Sequence, residues 1–417
     1  MRRNSLRVSD PVPPRQRSIY LAGSRGQLPK VPTQAQALEA AAARSMSAAA
    51  YAYVAGSAGL ESTCQANLRA FDRYLLRPRM LRDVRQRQLQ RTFLGHTYAT
   101  PLLTCPIGVL ELAHPQADRA VARACAALGV PMVFSNQASV SMEECSALMG
   151  DSPRWFQLYW SKSDELVASL LARAERCGCS ALVVTLDTPL LGYRPRDLDL
   201  GHLPFLRGAG LAQYLSDPVF QAYLDEPQPQ AEKPRLSLHS LKLLYDLCRN
   251  YPGPFLHNLR SGRPIRAVRQ FIDIYARADL TWERLAWLRG KTRLPLILKG
   301  VLTPEDAALA RQAGVDAVWV SNHGGRQVDG AGSSLQALVD IAEAEPEMPL
   351  IFDSGVRCGA DALKALRLGA TLVGVGRPYV YGLALAGEAG VREVLENLLC
   401  ELDLQMALCG ATRPEDV

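Results

Sequence analysis

The chain has 417 residues, of which 48% are hydrophobic and 21% charged, and its formal net charge is +6. This length and apolar content predict a soluble globular protein with one large domain or two average ones. The mild charge, without a basic stripe of interleaved aromatic residues, argues against nucleic-acid binding, and the lack of a run of about 18 apolar residues argues against a membrane-spanning helix.

Residues 1–17 form a basic, proline-containing stretch in which five arginines face only Asp10. Such a composition predicts a flexible tail. No apolar segment follows the paired arginines at its start, so an export signal is a poor interpretation. The ten cysteines are scattered without the spacing of a zinc or redox motif. Their pattern predicts free thiols, no metal site and a cytoplasmic location.

Residues 18–100 are expected to form a helical segment that packs on the main domain. Residues 101–417 then contain eight short apolar runs, most of them preceded by a helix-like segment that ends in glycine: 102–109, 130–135, 155–160, 181–188, 294–300, 315–322, 349–355 and 371–377. None alternates with period two, as is typical of parallel strands covered on both faces. The pattern predicts an α/β protein with a (β/α)8 TIM barrel. An open doubly wound sheet is disfavoured because no G-x-G-x-x-G motif follows an early strand.

One interval breaks this rhythm, because a long insert separates the fourth predicted strand from the fifth. Its first part, residues 196–234, is rich in proline, glycine and aspartate. It also carries apolar anchor residues: Leu203, Phe205, Leu206, Tyr214 and Phe220. A segment of this length and composition inside a compact domain is typical of a lid over a functional site.

The active site of a (β/α)8 barrel lies at the C-terminal ends of the strands. Polar residues and glycines collect at these positions in the chain: Gly108, Ser135, Gln157, Tyr159, Thr185, Asp187, Lys299, His323, Arg326, Asp353, Arg357, Gly376 and Arg377. Polar residues placed at random on a surface would not select the strand ends so consistently. The sequence therefore predicts one polar site at the mouth of the barrel.

The last two predicted strands are each followed by a glycine and an arginine, Gly355 with Arg357 and Gly376 with Arg377. Barrels often bind phosphate on these two loops through backbone N–H groups near a helix start. The glycines allow close approach of the backbone, and the arginines supply charge-assisted hydrogen bonds. These residues predict a phosphorylated cofactor or substrate.

The string SNHGGRQ (321–327) follows the apolar run AVWV (317–320), so a buried strand delivers a histidine and an arginine to the mouth. Together with the other strand ends, it resembles the signature of the FMN-dependent 2-hydroxy-acid oxidases and dehydrogenases, which include glycolate oxidase and lactate oxidase. The resemblance extends from about residue 50 to the C-terminus. It implies FMN as cofactor, a small L-2-hydroxy acid as substrate, O2 as electron acceptor and a homo-oligomer, either a tetramer or an octamer.

The resemblance also implies which residues bind FMN. Three would line the face of the flavin, three would hydrogen-bond its ring, and Lys299 would stabilise the negative charge that develops on reduction. Arg357 and Arg377 would hold the flavin phosphate. The implied set is Pro106, Ile107, Gly108, Ser135, Gln157, Thr185, Lys299, Ser321, Asp353, Ser354, Gly355, Val356, Arg357, Gly376 and Arg377.

His323, Asp187 and Tyr159 are the implied catalytic residues. Asp187 would orient the imidazole of His323 and stabilise its protonated form. His323 would take the hydroxyl proton as hydride passes to the flavin, or remove the α-proton in a carbanion route. The sequence leaves both routes open.

Arg194 and Arg326 would bind the substrate carboxylate, because the guanidinium fork matches a carboxylate bidentately. Arg196 is an alternative to Arg194, although the family pattern favours Arg194. Tyr53 and Tyr159 match the two substrate tyrosines of the family. Tyr51, two residues before Tyr53, would point away from it on a helix.

Within the family, the strings CPIGV, GYRPRDL and LPFLRG resemble those of lactate 2-monooxygenase. Two features would favour oxidative decarboxylation over free peroxide. A closed lid would retain the 2-oxo acid, and Gly108 would leave room for oxygen beside the flavin. The alternatives are a dehydrogenase that passes electrons to a quinone or cytochrome, another flavin or phosphate-binding barrel enzyme such as an isomerase, and a non-catalytic phosphate-binding barrel.

Overall fold

The computed structural model describes residues 14–226 and 237–417. Four helices precede the barrel: α1 (Pro14–Gly23), α2 (Ala35–Ser45), α3 (Ala48–Ala55) and α4 (Ser62–Ala70). An antiparallel hairpin follows, formed by β1 (Arg91–Phe93) and β2 (His96–Tyr98). The prediction of a helical segment over residues 18–100 is therefore wrong for the hairpin.

The first half of the barrel alternates strands and helices: β3 (Leu102–Thr104), α5 (Ala117–Leu128), β4 (Met132–Phe134), α6 (Met142–Met149), β5 (Arg154–Leu158), α7 (Asp164–Arg176) and β6 (Leu182–Thr185). The insert contributes α8 (Pro195–Asp199), α9 (Ala212–Leu215), α10 (Pro218–Asp225), α11 (Leu238–Asn250), α12 (Phe255–Ser261), α13 (Arg263–Ile274) and α14 (Arg284–Arg289). The second half contains β7 (Leu296–Val301), α15 (Pro304–Gln312), β8 (Ala317–Val320), α16 (Ser334–Ala344), β9 (Leu350–Phe352), α17 (Gly359–Arg367), β10 (Leu372–Val375) and α18 (Arg377–Leu408).

Strands β3 to β10 close into a parallel barrel in sequence order, with β10 pairing with β3. Each of the eight predicted apolar runs overlaps one of these strands, so the (β/α)8 prediction is confirmed. The strands are almost wholly buried because helices cover their outer face and side chains fill the interior. Trp155 and Trp319 meet edge to face inside the barrel, with ring centroids 6.4 Å apart.

The hairpin closes the barrel end opposite the mouth. Phe93 stacks on Trp155 at 5.8 Å between ring centroids, and the Trp155 indole N–H donates to the Tyr98 hydroxyl over 3.1 Å. Trp155 lies near the start of β5, so these contacts mark the N-terminal end of the strands. This packing leaves the C-terminal end as the open face of the barrel.

The predicted tail boundary at residue 17 is also wrong, because α1 begins at Pro14. Arg15 of this helix lies 3.3 Å from Glu393 and 3.2 Å from Glu396, two carboxylates of α18. These ion pairs attach the helix to the barrel. Residues 1–13 of the predicted tail lie outside the described residues. Among the described helices, none is both long and apolar enough to cross a membrane.

Aromatic side chains pack the helices of the insert against one another. Tyr214 and Phe271 meet edge to face at 4.9 Å, and Phe205 lies 5.3 Å from Phe271. Phe205, Tyr214 and Phe220 are buried as predicted, whereas Leu206 is 44% exposed and is not an anchor. Residues 227–234 of the predicted lid lie outside the described residues. The part up to Asp225 is a folded layer of short helices.

We expect Asp217→Ala to lower the free energy of unfolding by about 3–5 kcal/mol, the usual cost of removing one partner of a buried ion pair. Asp217 is fully buried, lies 3.0 Å from the Arg173 guanidinium, accepts from Ser169 over 2.8 Å and caps α10 at Val219. Denaturant unfolding of the holoprotein measures the change. Asp225→Ala is the control, because the Asp225 side chain is 67% exposed and its pairing contributes only about 0–1 kcal/mol. Equal losses in both variants would contradict this account.

Candidate active site

A cavity of about 1260 Å³, including its part open to solvent, occupies the C-terminal mouth of the barrel. Most of the residues predicted from the strand ends and from the resemblance line it: Tyr53, Pro106, Ile107, Gly108, Tyr159, Thr185, Arg194, Lys299, His323, Arg326, Asp353, Ser354, Gly355, Val356, Arg357, Gly376 and Arg377. The other predicted residues lie behind this lining. Asp187, Ser321 and Ser135 hydrogen-bond the lining residues His323, Lys299 and Gln137, and Gln157 hydrogen-bonds Ser135. The fold thus brings the predicted residues to one place.

His323 and Asp187 form a pair, with His323 Nδ1 2.9 Å from Asp187 Oδ1. Burial lowers the pKa of His323, and the charge of Asp187 opposes that shift. Burial works against the charge of Asp187 too, but His323, Lys299 and Arg194 outweigh it and lower its pKa. The pair is therefore a neutral imidazole held by a carboxylate, with Nε2 left to accept a proton.

Gly300 is required for the approach of Asp187. It has a φ of 104°, and a Cβ built on it would lie 2.8 Å from the Asp187 Cβ. The pairing of β7 with β8 shifts register at this point, between Lys299 and Val301. The glycine that follows Lys299 in the sequence is the signal that could have indicated this bulge.

Lys299 is buried under the cavity and lies 2.6 Å from Ser321 Oγ and 3.1 Å from Asp353 Oδ2. Burial alone would lower its pKa, but the charges of Asp353 and Asp187 raise it. The Lys299 side chain is consequently protonated, and its two contacts hold the ammonium group in place. Its position beside the cavity allows it to stabilise negative charge that develops there.

Arg194 and Arg326 face the same part of the cavity. Burial lowers the pKa of Arg326 to about 9, and the positive charge of Arg194 contributes to this shift. Arg326 Nη1 donates to the carbonyls of Tyr53 and Gly56 over 2.6 and 2.7 Å, and Arg194 Nε donates to the Arg326 carbonyl over 3.1 Å. Two buried cations held close together favour the binding of an anion between them.

Tyr53 and Tyr159 line the cavity beside the arginines, and the Arg326 guanidinium lies 5.2 Å from the centre of the Tyr53 ring. Burial raises the pKa of both phenols, so at neutral pH they keep their protons and can donate hydrogen bonds. The alternative Tyr51 lies elsewhere, with its hydroxyl 3.3 Å from Glu39 Oε1.

Arg196, the alternative to Arg194, does not line the cavity. It forms an ion pair with Glu61, and its side chain is 44% exposed. Arg194 is only 7% exposed and lies on the cavity wall. The preference for Arg194 agrees with this geometry.

Arg377 and Arg357 lie at one end of the cavity, with different partners. Arg377 donates to the carbonyls of Val54, Gly56 and Gly324 over 3.1 Å each and to Ser57 Oγ over 2.8 Å. Arg357 Nη1 donates to the Val356 carbonyl over 3.0 Å. Burial and the charge of Arg377 lower the pKa of Arg357. Both guanidinium groups border the cavity, but Arg377 also connects α3 to the loop that carries the SNHGGRQ string (321–327), which we call the signature loop.

Several buried polar atoms at or near the cavity have no hydrogen-bond partner among residues 14–226 and 237–417. They include Gln157 Nε2 and Thr185 Oγ1, and also Asp187 Oδ2 and Thr188 Oγ1. Gln157 Oε1 is 3.1 Å from the Asn136 backbone N–H and 3.5 Å from Ser135 Oγ, so only its amide nitrogen remains available. Buried polar atoms normally find partners. The Gln157 amide donor and the Thr185 hydroxyl, together with the Lys299 ammonium, Arg357 and Arg377, fit a flat polar ring that carries a phosphate.

Residues 42–417 match the family described as FMN-dependent dehydrogenase. The chain belongs to this family. It is 40% identical to an FMN-dependent alpha-hydroxy acid dehydrogenase from Penicillium citrinum, over 95% of this chain and 92% of that one. It is 38% identical to L-lactate oxidase from Lysinibacillus sphaericus, over 91% and 89%. The solved structure of mandelate oxidase aligns with a TM-score of 0.74 at 33% identity, covering 93% of this chain and 97% of that one.

Membership confirms the predicted family, the FMN cofactor and an oxidoreductase role for the chain. The sequence interpretation named Phe205 only as a lid anchor and missed several other residues of the cavity wall: Cys105, Gln137, Thr188, Leu190, Leu191, Tyr275 and Ala276. Cys105 lies within the predicted run 102–109, directly after the observed strand β3, and could have been found there. Tyr275 and Ala276 follow α13, far from any strand end, and carry no such signal.

The prediction that Gly108 leaves room for oxygen beside the flavin is wrong. A Cβ built on Gly108 would lie 2.9 Å from the Gln137 carbonyl oxygen and 3.0 Å from the Gln137 Cβ. The space next to the glycine is therefore filled by Gln137. The glycine permits this close contact and does not open a path for oxygen.

Proposed function

We propose that this protein oxidises a small L-2-hydroxy acid to the 2-oxo acid, with FMN as cofactor and O2 as electron acceptor. The supporting observation is the His323–Asp187 pair in the same cavity as the paired cations Arg194 and Arg326. A proton acceptor beside an anion site suits a substrate that carries a hydroxyl group next to a carboxylate. Relatives named as lactate and (S)-2-hydroxy-acid oxidases support the same substrate class.

The substrate carboxylate would bind between Arg194 and Arg326, whose mutual repulsion it relieves. Tyr53 and Tyr159 would donate hydrogen bonds to the carboxylate or the hydroxyl, because both phenols are protonated and line the cavity. These contacts orient the hydroxyl-bearing carbon and exclude water from it.

His323 would accept the proton at Nε2, because Nδ1 is engaged with Asp187. The neighbouring carboxylate then stabilises the imidazolium that forms. When bound, FMN accepts the two electrons that leave the hydroxyl-bearing carbon. His323 has the same position in the hydride and carbanion routes, and both routes require it neutral at the start.

The residues proposed to hold FMN are those of the cavity and of the layer directly behind it. Gln157, Thr185 and Ser135 would bond the ring, Lys299 would balance charge on it, and Arg357 and Arg377 would bind the phosphate. Pro106, Ile107 and Gly108 would flank the ring. Ser321, Asp353, Ser354, Gly355, Val356 and Gly376 would complete the site.

We expect Asp187→Asn to slow flavin reduction by about 10²-fold or more, because the imidazole loses its fixed orientation. The charge of Asp187 raises the pKa of His323. Its removal should therefore move the acid limb of the reduction rate, where activity rises with pH, to lower pH. Stopped-flow reduction across a pH series measures both effects. Asp306→Asn on α15 is the control, and an acid limb that moves to higher pH would contradict the proposed pairing.

The electron acceptor is tested by turnover with L-lactate in air and with an artificial dye under nitrogen. The proposal expects oxygen consumption with equal formation of peroxide and 2-oxo acid. Turnover with dye alone would identify a dehydrogenase of the same family. Acetate and carbon dioxide in place of peroxide would indicate decarboxylation, which the Gly108 geometry no longer favours.

A further inference from the structure

One carboxamide, that of Gln327, connects the loop after β8 to the loop after β6 through four hydrogen bonds. Its Nε2 donates to the carbonyls of Asp187 and Leu190 over 2.7 and 2.9 Å. Its Oε1 accepts from the Gly192 N–H over 3.2 Å and from Arg194 Nη2 over 3.0 Å. All four partners lie within residues 187–194, which we call the β6 loop.

The β6 loop carries two groups of the proposed site and part of its entrance. Asp187 pairs with His323, and Arg194 lines the anion-binding part of the cavity. Leu190 and Leu191 line the mouth and are 71% and 48% exposed. The loop has no helix or strand of its own between Thr185 and Pro195. Its conformation therefore depends on contacts with neighbouring segments.

The two loops lie in direct contact where Gln327 bridges them. A Cβ built on Gly192 would lie 3.0 Å from the Gln327 Cα and closer still to the Arg326 carbonyl oxygen. Glycine at this position permits the approach that brings the carboxamide within reach of all four partners. The backbone N–H of Gly59 adds one further tie to the loop, donating to the Tyr193 carbonyl over 2.9 Å.

Only a side chain with both a donor and an acceptor can make this set of bonds. A glutamate at position 327 would lose the donor for the Asp187 and Leu190 carbonyls, whereas it would keep an acceptor for Arg194. We infer that Gln327 is a positioning residue. It fixes the β6 loop so that Asp187 stays paired with His323 and Arg194 stays on the cavity wall. This inference rests on the proposed function of Asp187 and Arg194.

The test compares Gln327→Met, which removes all four bonds, with Gln327→Glu, which removes only the donated ones. Gln336→Met is the matched control, because Gln336 is also partly exposed and, among residues 14–226 and 237–417, its side chain bonds only Asp340 of its own helix, α16. Each FMN-loaded variant is titrated with oxalate, an unreactive carboxylate, by the change in flavin absorbance. Chymotrypsin cleavage within residues 190–193 reports the order of the β6 loop without any turnover.

We expect Gln327→Met to weaken oxalate binding by about tenfold, the effect of one typical hydrogen bond, and to speed cleavage of the β6 loop. Gln327→Glu should also weaken oxalate binding, since its added negative charge lies against Arg194, and should likewise speed cleavage. With L-lactate, Gln327→Glu should slow flavin reduction. Its added negative charge near His323 should move the acid limb to higher pH.

Parental oxalate affinity and cleavage rate in Gln327→Met would overturn the inference, as would the same changes in Gln336→Met. If Gln327→Met does not fold, unchanged cleavage and an unchanged acid limb in Gln327→Glu would overturn it. A parent protein whose flavin is reduced by none of glycolate, L-lactate and (S)-mandelate would refute the proposed function instead. The oxalate and proteolysis results would still decide the role of Gln327 in that case.

Discussion

Replacing His323 with glutamine is expected to slow flavin reduction by a 2-hydroxy acid by about 10²–10⁴-fold, the usual effect of losing a general base. Glutamine can still fill the space beside Asp187, but it cannot accept a proton at the position of Nε2. The FMN site should persist, because Lys299, Arg357 and Arg377, which are proposed to bind FMN, are unchanged. Anaerobic stopped-flow mixing of the yellow protein with L-lactate measures the rate.

His96→Gln is the control for this variant, because His96 lies exposed on the hairpin at the opposite end of the barrel. It should reduce at the parental rate. The bound FMN absorbance and thermal melting of both variants should match the parent. A His323→Gln protein that reduces its flavin at the parental rate would show that another group accepts the proton.

Replacing Arg357 and Arg377 together with alanine is expected to yield protein without FMN. Each lost charged hydrogen bond to a phosphate costs about 1.5–3 kcal/mol of cofactor binding. Arg377→Ala should also lower the melting temperature of the FMN-free protein, because Arg377 bonds three backbone carbonyls that tie α3 to the signature loop. Arg357→Ala should have little effect on that temperature, because within the described part of the chain the Arg357 side chain donates only to the neighbouring Val356 carbonyl.

FMN content by absorbance and FMN affinity by fluorescence titration measure these effects. Arg311→Ala is the control, because Arg311 pairs with Glu345 on the outer surface, away from the cavity. This control should keep its FMN. Retention of full FMN occupancy by the double variant would refute the phosphate assignment.

The barrel could be predicted from the sequence because its strands are buried on both faces. Runs such as 181–188 and 315–322 are apolar without alternation, and each contains an observed strand. The site could be predicted for the same reason, since the parallel closure brings all C-terminal strand ends to one mouth. His323 and Asp187 are 136 positions apart in the chain, and the barrel places them in contact.

Features that depend on contacts between distant segments could not be predicted. The hairpin at residues 91–98 is short and exposed in part, so its apolar signal is weak. The packing of Gln137 against Gly108 depends on the loop after the neighbouring strand, β4, which the string CPIGV does not reveal. The four bonds of Gln327 likewise depend on how the β6 loop turns back. In each case, the deciding contact joins segments that are distant in the chain, so no local sequence pattern indicates it.

The central claim is that a 2-hydroxy acid delivers its electrons to FMN in this cavity. Anaerobic titration of the purified protein with glycolate, L-lactate and (S)-mandelate tests it most directly. The account predicts loss of the visible flavin absorption with at least one of these acids, with one 2-oxo acid formed per flavin reduced. An unchanged spectrum with all three acids, in protein whose flavin dithionite still reduces, would contradict it.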